Sequence, residues 1–225
     1  YSIFLTITGV SMFLNKNLRK VFSPVVAQIY ENKDFSLLNN LYKETTFLVN
    51  FLTIPISIII IYFSKNIVYL FDKTEFINDY IFLLHILILT RVISLMFGNT
   101  GVYMLMAGLE KNDLFIQILK TIFTISLSIL LVHDYQLHAI VLIFFISNLG
   151  VNLFQFLFIY KKLNINPFSR ELFLLMLIST FIISFYYVLN VQMNLIYVLP
   201  FSLIIFIIFS LSFKKKINLI MSKYK

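Results

Sequence analysis

A chain of 225 residues that is 60% hydrophobic and only 12% charged, with a mean hydropathy of +0.93, has too few polar positions to clothe a soluble core. The same composition suits a helical bundle in lipid, so soluble functions are excluded. The formal net charge of +8 comes from basic residues dispersed between apolar stretches rather than gathered in one stripe, which argues against a nucleic-acid partner, and the absence of cysteine removes disulfides, thiolate chemistry and cysteine-based metal sites.

The chain opens on Tyr1, already apolar and without the features of a signal peptide, and reads as the C-terminal part of a longer protein. The first apolar segment, residues 1–14, is short for a span. A charged stretch follows, with Lys16, Arg19, Lys20, Pro24 and Glu31. The near-helical spacing of Phe35, Leu38, Leu41 and Tyr42 predicts a helix there, lying along the membrane face.

Segment two, residues 47–63, carries Pro55 in its middle, which removes a backbone hydrogen bond and makes a hinge candidate. Thr46, Asn50, Thr53 and Ser57 share one face of it. Segment three, residues 80–106, holds Arg91, and Gly98 and Gly101 bracket Asn99 and Thr100 where a break or close helix contact is expected. Segment four, residues 114–132, has a polar stripe of Gln117, Lys120 or Thr121, Thr124 and Ser128. Segment five, residues 138–160, has Asn148, Asn152 and Gln155 at i, i+4 and i+7. Segments six and seven, residues 172–189 and 195–213, hold only scattered Ser and Thr and read as peripheral, and residues 214–225 form a basic tail.

The fold class is therefore all-α: a polytopic bundle of about seven membrane segments. Residues 1–160 form the main unit and residues 161–213 two added helices. Lys and Arg collect in alternate connections, between Lys16 and Lys43, at Lys111, at Lys161, Lys162 and Arg170, and in the tail, while the opposite connections carry only Lys65 and Lys73. That asymmetry places the C-terminus in the cytoplasm.

Two cations remain inside apolar runs, Arg91 and Lys120. A charge at bilayer depth costs roughly 2.5–3.5 kcal/mol on insertion scales, so it faces a wet cavity or a partner. With no carboxylate at comparable depth, they point to a cavity for a negatively charged passenger. Its candidate binding residues are Arg91, Lys120, Gln117, Asn148, Asn152, Gln155 and Asn50, with hinges at Pro55, Gly98 and Gly101. Competing readings stay open. Arg91 bonds carbonyls at the helix break, Lys120 snorkels to the headgroups, and the amides merely join helices. His85 reads as packed, and His133, Asp134 and His138 as loop residues rather than a metal site.

The runs Ser23-Pro24-Val25-Val26-Ala27-Gln28-Ile29-Tyr30-Glu31-Asn32-Lys33-Asp34, Leu70-Phe71-Asp72 and Gly101-Val102-Tyr103-Met104-Leu105-Met106-Ala107-Gly108-Leu109-Glu110-Lys111, together with Pro55, resemble polysaccharide flippases. These belong to the multidrug/oligosaccharidyl-lipid/polysaccharide exporter superfamily, and the O-antigen type is nearest. The resemblance covers roughly residues 4–166, with one departure at His138-Ala139-Ile140, where the family often has Gly-Ala-Ala.

It implies two pseudo-symmetric six-helix lobes around a cavity opening alternately to each side, residues 1–160 being most of the C-terminal lobe. It also implies an undecaprenyl-diphosphate-linked oligosaccharide as substrate, the bacterial inner membrane as location, no cofactor and no enzymatic step, with other polysaccharide assembly proteins as further partners. The alternatives are a drug or cation antiporter of the same superfamily, which needs an intramembrane carboxylate; a membrane glycan polymerase or ligase, which needs a sizeable outer loop; and a purely structural membrane partner.

Overall fold

In the computed structural model, which describes residues 2–71, 80–189, 200–202, 204–211 and 213, every regular element is a helix. The outer connection with Lys73, the loop before segment seven and the basic tail lie outside the described residues.

Helix α1, Ser2–Glu31, is 30 residues long, about 45 Å at the helical rise. It corrects the expectation of a short segment followed by a separate charged connection. Lys16, Arg19 and Lys20 interrupt the apolar run but are good helix formers, and Pro24 is accommodated within the helix.

The chain turns at Asn32–Asp34, with Lys33 in the left-handed region at φ 57°. Asp34 then caps α2, Phe35–Tyr62, its carboxylate accepting from the Leu37 backbone N–H at 2.9 Å. The stretch expected along the membrane face is thus the first three turns of α2, where Leu38, Leu41 and Tyr42 are buried. Starting α2 at Phe35 also draws Glu44, 7% exposed, into this apolar helix.

Helices α3, Ser64–Phe71, and α4, Ile81–Met96, follow, and α4 is broken from α5, Thr100–Met106, at the expected place. Helix α6, Glu110–Leu163, has one residue of non-helical backbone, Gln136 (φ 45°, ψ −121°). A straight helix of that length would hold Asp113 and Gln155 about 60 Å apart. Their side chains are hydrogen-bonded at 2.5 Å, and Thr124 meets Ser147 at 3.0 Å. The chain therefore folds back at Gln136, and the two arms of α6 are antiparallel neighbours, matching segments four and five. Helix α7, Arg170–Leu189, and an apolar helix, Pro200–Leu211, complete the described helices.

Among the described residues, three helical stretches are long and apolar enough to cross a membrane: Phe35–Tyr62, Ile81–Met106 and Glu110–Leu163. The first is 78% buried over its most apolar window and the last only 6%. Helix α2 is accordingly the axis of the bundle, while α6 turns its apolar side chains outward, as lipid contact requires. Helix α7 packs on α2 through Leu175 and Pro200–Leu211 through Ile205 and Phe209, in one cluster with Phe213 and with Phe47, Phe51 and Ile58 of α2.

Two further apolar clusters sit at opposite ends. One joins Phe4 and Ile7 of α1 to Ile61, Leu84, Leu87 and Val141. The other joins Val26 to Leu38, Leu41, Tyr103, Met104 and Ile159. Along each of α1, α2, α4–α5 and the second arm of α6, the polar residues fall between the two clusters, so the bundle has a polar middle between dry ends.

Candidate functional site

In that middle layer is a cavity of about 200 Å³. Asn15 and Arg19 of α1, Arg91, Ser94 and Leu95 of α4, the break Gly98-Asn99-Thr100-Gly101, and Asn148, Asn152 and Gln155 of α6 line it. Two guanidinium groups and five side-chain amides thus converge, and no acidic side chain is among the lining residues described.

Several of these groups are held by neighbours. The Arg91 guanidinium lies over the Phe144 ring, 4.7 Å from its centroid, a geometry in which the ring face attracts the cation. One turn further, Asn148 donates its amide to the Phe144 carbonyl at 2.7 Å, and Asn152 donates to the Asn148 carbonyl at 2.7 Å. Tying these amides back along their own helix leaves each Oδ1 as the acceptor that remains. Lys120 donates to Asn148 Oδ1 at 3.3 Å, which brings a third cation to the edge of the cavity. The buried Oδ1 of Asn15 has no hydrogen-bond partner among the described residues.

The helix break shapes the cavity wall. Gly98 has φ +71°, and a Cβ there would stand 2.2 Å from Thr46 Oγ1 and 2.8 Å from Tyr42 Cε2, so both backbone angle and space demand glycine. At the break α2 supplies two donors to the end of α4: Tyr42 Oη donates to Phe97 O at 2.5 Å, and Asn50 Nδ2 donates at 2.8 Å to Leu95 O, which also accepts from the Gly98 N–H at 2.9 Å. These bonds tie the broken end of α4 to α2 inside an apolar bundle. On the other side, Thr100 donates to Gln155 Oε1 at 2.6 Å, and Gln155 Nε2 donates to Asp113. At Gly101 a Cβ would stand 3.4 Å from Arg19 Nη2, close to ordinary contact, so the guanidinium lies beside the Gly101 backbone.

Of the residues expected at the site, Arg91, Asn148, Asn152, Gln155, Gly98 and Gly101 meet at the cavity and Lys120 lies one hydrogen bond away. Gln155 is only 4% exposed and its amide is engaged at both ends, so it ties helices together at the cavity wall. Two expected residues lie elsewhere. Asn50 is fully buried and serves the broken end of α4. Gln117 is exposed on the far side of the first arm of α6, in an apolar depression with Leu114, Ile118 and Thr121. Pro55 is buried in α2, outside the lining.

His85 is buried against Ser64 Oγ at 2.9 Å, a packed histidine. His133 and Asp134 form an exposed local pair at 3.1 Å, and no metal-holding group occurs among the described residues.

Sequence reasoning missed Asn15 and Arg19. The signal was their i, i+4 spacing directly after an apolar run, legible once α1 is allowed to continue past Leu14. No family model, curated protein or solved structure matches the chain.

Proposed function

We propose that the chain is the C-terminal portion of a bacterial inner-membrane flippase that carries an undecaprenyl-diphosphate-linked oligosaccharide across the bilayer by alternating access. The observation that carries this reading is the cavity where Arg19 and Arg91 converge with amide side chains, and no lining acid, between two apolar clusters. A diphosphate crossing hydrocarbon loses its water; fixed cations and amide dipoles replace it, and hydroxyl groups of the glycan find amide acceptors. This reading takes α1, α2, α4–α5, the two arms of α6, α7 and the apolar stretch around Pro200–Leu211 as its seven membrane segments.

The test is complementation of cells lacking the gene by the full-length protein carrying Arg91→Ala or Arg91→Lys, scored by surface polysaccharide with protein abundance checked. Loss of display with Ala at normal abundance, and retention with Lys, is the expected result. Normal display with Ala contradicts a cationic cavity.

A second reading, a cation-coupled antiporter of the same superfamily, is favoured by Glu44 buried in α2 and by Asp113, one hydrogen bond behind the cavity wall. Glu44→Gln and Asp113→Asn test it: abolished drug efflux with intact polysaccharide display would replace the flippase reading.

A further inference from the structure

Among the described residues, three side-chain hydrogen bonds join the two arms of α6: Lys120 with Asn148, Thr124 with Ser147, and Gln155 with Asp113. The first two stay within α6. The third continues into another helix, because Gln155 Oε1 also accepts from the hydroxyl of Thr100, the first residue of α5, at 2.6 Å. Asp113 itself borders the apolar depression on the outer side of the first arm and is not among the residues that line the cavity.

The relay Asp113–Gln155–Thr100 has a fixed polarity. A carboxylate only accepts, so Gln155 turns its Nε2 to Asp113 and its Oε1 to Thr100, which donates. A reversed amide would set a carbonyl oxygen against the carboxylate. Nε2 carries two hydrogens, and Asp113 takes one of them. A Cβ on Gly101 would stand 3.8 Å from this Nε2 and 3.4 Å from Arg19 Nη2, and all three residues line the cavity. Two nitrogen donors, one charged and one neutral, therefore border the bare Cα of Gly101. Unlike Gly98, Gly101 has no left-handed backbone angle to explain it, and a glycine inside a helix is less stable than alanine there. What its missing side chain provides is space beside the two donors.

We propose that Arg19, Gln155 and the Gly101 Cα form a seat for one oxygen of the anionic head group, and that Asp113 is the positioning residue that keeps the Gln155 N–H turned toward it. The inference rests on the anionic-passenger reading of the cavity and adds which end of the amide meets the anion and what holds it there. By its charge alone, an aspartate one hydrogen bond behind an anion site opposes binding. Orientation of the amide accounts for its place.

The experiment measures inorganic diphosphate binding by titration calorimetry on full-length protein in phosphatidylcholine nanodiscs, with stability followed by unfolding in sodium dodecyl sulfate. Gly101→Ala puts a methyl group into the seat at near-ordinary contact distances. It is expected to leave stability unchanged or raised while weakening diphosphate binding about tenfold or more, the loss of a hydrogen bond to a charged group. The Asp113→Asn Gln155→Glu double variant exchanges amide and carboxylate across the bond. It keeps the ties and the total charge but presents an oxygen to the seat, and is expected to bind about tenfold more weakly or worse.

Asp113→Asn alone separates orientation from charge. Removing the negative charge would by itself tighten diphosphate binding, whereas an amide pair free to turn either way leaves about half of the molecules with the N–H toward the seat and weakens binding about twofold or more. Unchanged or tighter binding by Asp113→Asn overturns the positioning role. Wild-type affinity in both Gly101→Ala and the double variant refutes the seat and leaves the cationic cavity standing. Failure of wild-type protein to bind diphosphate removes the anionic-passenger reading and the seat with it.

Discussion

Gly98→Ala tests the helix break that forms one wall of the cavity. Two costs add. The left-handed backbone at φ +71° is unfavourable for a residue with a Cβ by about 1–2 kcal/mol, and the new methyl would stand 2.2 Å from Thr46 Oγ1, an overpacking of about 1–3 kcal/mol. The total is about 2–5 kcal/mol.

Gly108 supplies an internal control, because it has nearly the same backbone angle, φ +68°, with nothing within 4 Å of a Cβ. Gly108→Ala should show the backbone cost alone, about 1–2 kcal/mol. Unfolding by sodium dodecyl sulfate in mixed micelles, followed by far-ultraviolet circular dichroism, measures both. Adding Thr46→Ala to Gly98→Ala should recover part of the steric share but none of the backbone share. Equal costs at the two glycines, or no relief from Thr46→Ala, would refute the packing described at the break.

The polar layer makes further predictions. These 225 residues contain no cysteine, so once any cysteine elsewhere in the full-length protein is replaced, a single introduced cysteine reports access: Asn152→Cys should react with a membrane-impermeant thiol reagent, whereas Asn50→Cys, behind the break, should not. Gln155→Leu cuts the ties to Thr100 and Asp113 and should cost about 1–3 kcal/mol in the same micelle assay, through the polar partners it leaves buried. Lys120→Met keeps the apolar stem and removes the ammonium. It should weaken diphosphate binding by about 1.5–3 kcal/mol, the worth of a charged hydrogen bond, with Lys120→Arg retaining most of the affinity in equilibrium binding.

What the sequence made legible were features with a local cause. Two glycines around Asn99 and Thr100 mark the break because Gly98 combines a left-handed backbone angle, which favours glycine, with no room for a Cβ. The i, i+4, i+7 ladder of Asn148, Asn152 and Gln155 marks a helix face because the period of the helix is fixed.

The missed features depended on what a face meets. The stripe of Asn50 and Thr46 was visible, but α2 is buried almost all round, so its polar side meets the broken end of α4 instead of the cavity. On the first arm of α6, Lys120 and Thr124 face the second arm, whereas Gln117 and Thr121 lie one step round and face outward. Arg19 was misplaced for a different reason: hydrophobicity ended at Leu14 but the helix did not, since Lys, Arg and Asn break an apolar run without breaking backbone hydrogen bonds.

The central claim is that Arg19 and Arg91 carry a lipid-linked diphosphate through the membrane, and proteoliposomes address it most directly. Full-length protein reconstituted with a fluorescent undecaprenyl-diphosphate sugar is scored for exposure of the sugar on the opposite leaflet, alongside the Arg91→Ala and Arg19→Ala variants at equal reconstitution. The account predicts translocation by wild type, loss in both variants, and recovery in Arg91→Lys. Translocation undiminished in the Arg19→Ala Arg91→Ala double variant would contradict it.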